Sequence, residues 1–313
     1  MALDLTGLTA YVDENKMELI KKSILQGRTL EYVTIQPDIK SSATINIIDT
    51  DLVIQAGACG WNADGTTTLS QRPLAVDKMK VNEATCVDDL EAYYTQKMMN
   101  AGSYNETIPF EQIYSEDKSE KIANEIDNVI WKGDKGAGVG NLAFSDGYFK
   151  LIDSLAGSTV NGNTGAVTVA TGITAANVVD IVDGMVNSVP EDIINADDLF
   201  LFMSYANYRT YAKALRDANL YHYNGQEDQG QEFSQMVPGT NVRVVALKGF
   251  SGTARMILSR KANLYFGTDL LNDSEDFDIF YSKDNDEVRF LSKWKQGVQV
   301  AFPSFIVDLI LVP

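Results

Sequence analysis

The sequence predicts an α+β fold, in which one long helix lies across a broad sheet and an α/β layer is attached. Three observations carry that expectation. Residues 109–134, PFEQIYSEDKSEKIANEIDNVIWKGD, read as one amphipathic helix with a hard stop. Residues 44–55 and 66–81 are rich in β-branched residues around a turn-rich stretch, which reads as a long hairpin. Residues 277–312 return to alternating apolar and polar positions and offer the helix a sheet to lie on.

At the N-terminus, residues 1–28 hold a short helix candidate. Leu19, Ile20, Ser23 and Ile24 share one side and Gly27 follows. The segment is too thinly hydrophobic for a core of its own and reads as an arm lying on something else, another copy included. The hairpin turns within AGACGWNADG, residues 56–65, where Asp64-Gly65 is a turn signal. Strands of about 12 residues at ~3.3 Å each reach roughly 40 Å, and a hairpin that long is marginal alone. It either packs on its own body or extends to a neighbour. Trp61, near the tip, is either folded back onto its own core or an interface anchor. Residues 86–101 read as a helix with Leu90, Tyr93, Tyr94, Lys97 and Met98 on its better-buried side and Gly102 as its stop.

In the 109–132 helix, Phe110 and Ile113 open an apolar stripe that Ile122, Ile126, Val129 and Ile130 continue at the spacing of one helix face. Pro109 suits a helix start, Asp117 and Lys121 pair four residues apart, and Gly133 after Lys132 ends the run. About 22 residues at 1.5 Å each make a rod of roughly 33 Å. The next run, DKGAGVGNLAFSDG (134–147), follows a helix rather than a strand and lacks the GK[ST] ending of a phosphate loop. It reads as a flexible joint between two subdomains.

Beyond the joint, Ser145 is placed to cap a helix carrying Phe149 and Ile152, and residues 158–172 read as a small hairpin or mobile loop. Thr174 is placed to cap a helix with Val178, Val182, Met185 and Val186 on one face and Pro190 past its end. LFLFMS (199–204) is an apolar run suited to a strand buried on both sides, and Ser204 is placed to cap the helix after it. NVRVVAL (241–247) and ARMILS (254–259) read as further core strands, so helices alternate with buried strands around a central sheet. The chain closes with strands at 277–282, 288–294 and 297–312, the last interrupted by Pro303.

Charge narrows the function. Against 26 Lys and Arg stand 43 Asp and Glu, a net −17, which argues against gripping a phosphate backbone as the main role. Identical copies repel, so self-assembly must use apolar contacts, hydrogen bonds or local charge pairs. No run of 18 apolar residues predicts a membrane span, and the N-terminus does not read as a signal peptide. Cys59 and Cys86 suit a reduced, intracellular chain. The one histidine, His222, has no GxSxG to serve, and with two separated cysteines it does not make a zinc site. The acidic runs 273–278 and 284–287 miss the EF-hand spacing and read as solvated turns. No residue is assigned to catalysis, a cofactor or a metal.

Four stretches carry a resemblance: NEIDNVIWKGD (124–134), NLAFSDGYFKLID (141–153), DDLFLFMSYANYRTYAKAL (197–215) and WKQGVQVAFPSFIVDL (294–309). With the order of arm, hairpin, long helix, Gly-rich joint, α/β region and closing strands, the chain resembles tailed-phage major capsid proteins of the Hong Kong 97 type. The resemblance covers nearly the whole chain as an order of elements. It implies an N-terminal arm at 1–28, an extended loop at 29–85 and a peripheral domain at 86–140 with a spine helix at 109–132. It further implies an axial domain at 141–275 and C-terminal strands at 276–313 that complete the peripheral domain. In that family extended loops lie across neighbouring subunits, which would put Cys59, Gly60, Trp61, Asn62 and Asp64 at an intersubunit contact.

The implied function is structural and not enzymatic, with no cofactor. The subunits would form a homo-oligomer of pentamers and hexamers, an icosahedral shell enclosing the double-stranded DNA of a tailed bacteriophage without sequence-specific binding and without a membrane. Its site would be the virion, assembled in the host bacterial cytoplasm, with a portal and optional decoration proteins as partners. Some members carry a cleaved N-terminal scaffolding region; here Met1 leads directly into the arm, so a separate scaffolding protein is expected. The namesake cross-links a loop lysine to a neighbour's asparagine. Ala56–Gly65 holds no lysine, and Lys78 and Lys80 lie well back from the tip, so that chemistry is not carried over. Two alternatives stay open: an encapsulin-type compartment shell protein and an acidic hydrolase.

Overall fold

The computed structural model describes residues 27–57, 59–60, 64–86, 110–165, 167–218, 233–269 and 276–311. The helix candidate at 19–24, most of that at 86–101, Pro109 and His222 lie outside them. Two large sheets and a hairpin make up the frame. The hairpin pairs β2 (Ser42–Asp51) with β3 (Thr66–Ala75) in antiparallel register from Ser42↔Ala75 to Asp51↔Thr66. A five-stranded sheet holds β1 (Thr34–Gln36), β4 (Asp77–Cys86), β10 (Leu264–Thr268), β11 (Asp276–Ser282) and β12 (Glu287–Val300). The six-stranded sheet runs, in spatial order, β5 (Val160–Asn161), β13 (Val307–Asp308), β9 (Ile257–Arg260), β6 (Leu199–Met203), β8 (Arg243–Ala246) and β7 (Ser234–Met236). The helices are α1 (Phe110–Lys132), α2 (Tyr148–Ser154), α3 (Val178–Asn187) and α4 (Tyr205–Asp217).

β12 organises the five-stranded sheet. Gln296 pairs with Thr268 on one edge and with Asp77 on the other, so β10 and β11 share one edge end to end while β4 takes the opposite one. The expected break between residues 294 and 297 is absent. Gly297 lies within the strand, where a side chain would stand 1.9 Å from the Ala75 carbonyl oxygen. The expected strand at 66–81 instead splits at Val76: β3 stays with the hairpin, and β4 crosses to β12. The first hairpin strand ends at Asp51, short of residue 55. At the other end, the chain turns at Pro303–Phe305 and β13 leaves for the six-stranded sheet, between β9 and β5.

α1 forms as its stripe demands. Ile122, Ile126, Val129 and Ile130 are all buried. The side chains of Phe110 and Ile113 lie outside the described residues. The stripe joins a core that takes Phe266, Phe290, Trp294 and Val300 from one sheet and Phe202, Val245 and Ile257 from the other. Trp131, in the last turn, sits among aromatic rings: Phe250 at 4.5 Å, Tyr148 at 5.0 Å, Phe202 at 5.3 Å and Phe149 at 5.8 Å between centroids. Along β6 the strand period of two divides the neighbours. Phe202 faces this core, while Leu199, Leu201 and Met203 face a second core built with α3 and α4.

Three local expectations are corrected. The glycine run after α1 is a closed, bonded loop rather than a flexible joint. Asp134 N–H donates to Leu142 O at 2.8 Å, Gly147 N–H to Gly133 O at 2.8 Å, and a side chain at Gly138 would stand 2.4 Å from Asp134 O. Gly138 allows that close backbone approach, while Gly140 takes a φ of 63°. Neither Ser145 nor Thr174 caps a helix: α2 starts after Gly147 and α3 after Asn177, both without a side-chain cap. Ser204 does cap α4, accepting the Asn207 N–H at 3.1 Å. Residues 158–172 contribute only the two-residue β5, paired in parallel with β13, and no hairpin among the described residues.

Candidate assembly surfaces

The hairpin changes character along its length. Its root is fixed by a small core of Ile39, Ile45, Ile47, Leu74 and Ala301. Past Ile47 that cover ends. Ile48 and Leu69 face each other across the ladder and are 65 % and 74 % exposed. Leu52 and Ile54 follow at 83 % and 98 %. The only charged residues between 42 and 71 are Asp49, Asp51 and Asp64, all exposed. Of the residues the sequence points to, Cys59 is an exposed free thiol, Gly60 takes a φ of 127°, and Asp64 accepts the Gly65 N–H at 3.1 Å. Trp61 and Asn62 lie outside the described residues.

A second surface is a groove of about 470 Å³ between α1 and strands β4 and β12. Met79, Val81, Ile122, Phe290 and Trp294 line it, and Phe144, 60 % exposed, extends it. Lys78, Lys80, Lys118 and Lys121 stand around it together with Glu83 and Glu125. Lys118 bridges helix to strand through Glu83 at 2.5 Å, and Lys121 pairs with Asp117 at 2.8 Å. The sequence shows each of these residues but not that they meet.

Two buried polar groups matter for rigidity. Arg255 holds Asp308 with two bonds, Nε to Oδ1 at 3.0 Å and Nη2 to Oδ2 at 2.7 Å, and reaches Asp153 at 2.7 Å. Burial raises the Asp308 carboxyl, against the pull of Arg255. On α1, burial pushes Asp127 up to about 6, although the Thr29 N–H donates to it and the Arg28 N–H lies near enough to favour its charged form. Among the described residues no group of three or more His, Cys, Asp or Glu is placed to hold a metal ion, and no helix is long and apolar enough to cross a membrane.

No family model matches the sequence, and no curated protein matches it. Solved structures do. The satellite phage P4 procapsid including its size determination protein gives a TM-score of 0.60 at 13 % identity, covering 96 % of this chain and 99 % of that one. The capsid of an empty GTA particle gives 0.56 at 13 % identity, covering 93 % and 90 %. Gordonia phage Cozz gives 0.54 at 14 % identity, covering 90 % and 85 %. At such identities the likeness is one of fold, and it spans nearly the whole chain. The fold of this chain is that of phage capsid subunits.

Proposed function

We propose that this chain is a structural shell subunit, the major capsid protein of a tailed bacteriophage of the Hong Kong 97 type. It assembles into pentamers and hexamers of an icosahedral head around double-stranded DNA, and it performs no chemistry. The observation that carries the reading is the hairpin end, where Ile48, Leu52, Ile54 and Leu69 are exposed well beyond the root core. A subunit carrying −17 does not leave apolar groups uncovered there without a partner to cover them. The groove of another copy offers an apolar floor, with Lys78 and Lys80 on its rim as the opposite charge to Asp49, Asp51 and Asp64. A contact of this kind is head-to-tail, the type that closes into rings.

In this reading the arm is 1–28, the extended loop 29–85, the peripheral domain 86–140 with 276–313, and the axial domain 141–275. Cys59, Gly60, Trp61, Asn62 and Asp64 sit at the contact. A separate scaffolding protein, a portal and optional decoration proteins are its partners, and the virion, assembled in the bacterial cytoplasm, is its location. Deleting Ala56–Gly65 tests it. The deleted chain should stay soluble and folded by circular dichroism yet form no closed particles by negative-stain microscopy. Closed shells of normal size from the deletion would overturn the reading, and particles free of DNA in infected cells would overturn the genome-container part of it.

A further inference from the structure

We propose that Asp127 is a pH-responsive clasp that holds residues 27–33 to α1, closing more tightly in acid than at neutral pH. The inference concerns a single chain and does not depend on the shell reading. Asp127 reaches from α1 to the first turn of a short 3-10 helix, Arg28–Tyr32. Its Oδ1 accepts the Thr29 N–H at 3.2 Å, and the Thr29 hydroxyl and the Arg28 N–H lie near enough to the carboxylate to favour its charged form. The Trp131 indole N–H, one turn along α1, donates to the Thr29 hydroxyl at 2.9 Å. A side chain at Gly27 would stand 2.7 Å from Asp127 Oδ1 and would press on the carboxylate that the clasp uses. Thr29, Leu30, Tyr32 and Val33 are then buried.

Asp127 is 5 % exposed and makes no ion pair among the described residues. The charged and titratable groups around it are few. Lys248, from the facing turn Lys248–Phe250, acts on it through its charge. Arg28 offers its backbone N–H, while its guanidinium lies 3.4 Å from the Tyr205 hydroxyl. Backbone and hydroxyl dipoles therefore carry the charge, and desolvation outweighs them. Burial lifts the carboxyl from 3.8 to about 6. The closed clasp thus binds a proton more tightly than the open one. Its stabilisation is full below 3.8 and is lost as pH rises through 6, the reverse of the usual paired carboxylate.

Hydrogen exchange on the full chain between pH 5 and pH 8, corrected for intrinsic rates, tests the clasp. With 3.8 for the open state and about 6 for the closed one, opening at amides 28–32 should rise about ten-fold across that range. Amides of β6 should show no such slope. Asp127→Asn keeps an acceptor oxygen but cannot titrate, and its profile should be flat. Trp131→Phe removes one donor and should raise opening at every pH while keeping the slope. A flat wild-type profile overturns the proposal, as does a slope that persists in Asp127→Asn or appears equally in β6. Should Asp127→Asn fail to fold by circular dichroism, the wild-type contrast between amides 28–32 and β6 decides in the same way.

Discussion

Ile126 and Ile130 stand one turn apart on α1, each 1 % exposed and in the same core. What lies beside them differs: Ile126 borders the groove and Ile130 does not. Replacing either by Ala removes about three methylene equivalents, or roughly 2.4 kcal/mol of transfer free energy at ~0.8 each. A void of roughly 75 Å³ that stays empty adds about 2 kcal/mol more. At Ile130 the void is sealed, so Ile130→Ala should cost about 4 kcal/mol. At Ile126 it opens into the groove and admits water, so Ile126→Ala should cost about 2.5 kcal/mol. Urea titration of the unassembled subunit, followed by tryptophan fluorescence, reads the difference as a shift in midpoint at constant slope. Equal costs, or a larger cost at Ile126, would mean that the groove is closed in the free subunit and that this reasoning fails.

Other outcomes follow from the same packing. Ile126→Asp should prevent folding, because the charge would be stranded in the core, and soluble expression would show it. Arg255→Met leaves Asp308 buried without its cation and should cost about 3–5 kcal/mol by thermal or urea unfolding, with Asp308→Leu added in the same chain recovering most of the loss. Assembly followed by light scattering should rise with salt as repulsion between subunits of −17 is screened. A steep fall in yield with salt would mean instead that attractive ion pairs dominate the contacts.

Which features were legible in the sequence follows from how local their causes are. The α1 stripe was readable because a helix repeats its buried face every three to four residues. The cap at Ser204 was readable too, but Ser145 and Thr174 carried the same local signal without capping anything. There the helix start is set by burial of Tyr148 and Val178, which depends on partners elsewhere in the chain. The continuity of β12 through Gly297 was not legible, because the close approach of Ala75 that needs a glycine there comes from far away in sequence. Asp127, beside Ile126 and just before Val129, looks like a surface acid, and its partner Thr29 is 98 residues away. The hairpin was legible from its turn signals but the exposure of its end was not, and the groove needs α1, β4 and β12 together and has no local signature.

Trp131 has a mechanical consequence. It touches Phe202 of the six-stranded sheet, Tyr148 and Phe149 of α2, and Phe250, while its own helix rests against the five-stranded sheet through Ile126 and Ile130. The two sheets are thus clamped by one continuous set of side chains and have no soft waist between them. Subunits that tile a curved surface must meet their neighbours at different tilts from one position to the next. A body clamped in this way would tilt as a solid block. The strain of fitting different positions in such a shell would fall on the hairpin beyond Ile47, where the root core no longer covers it.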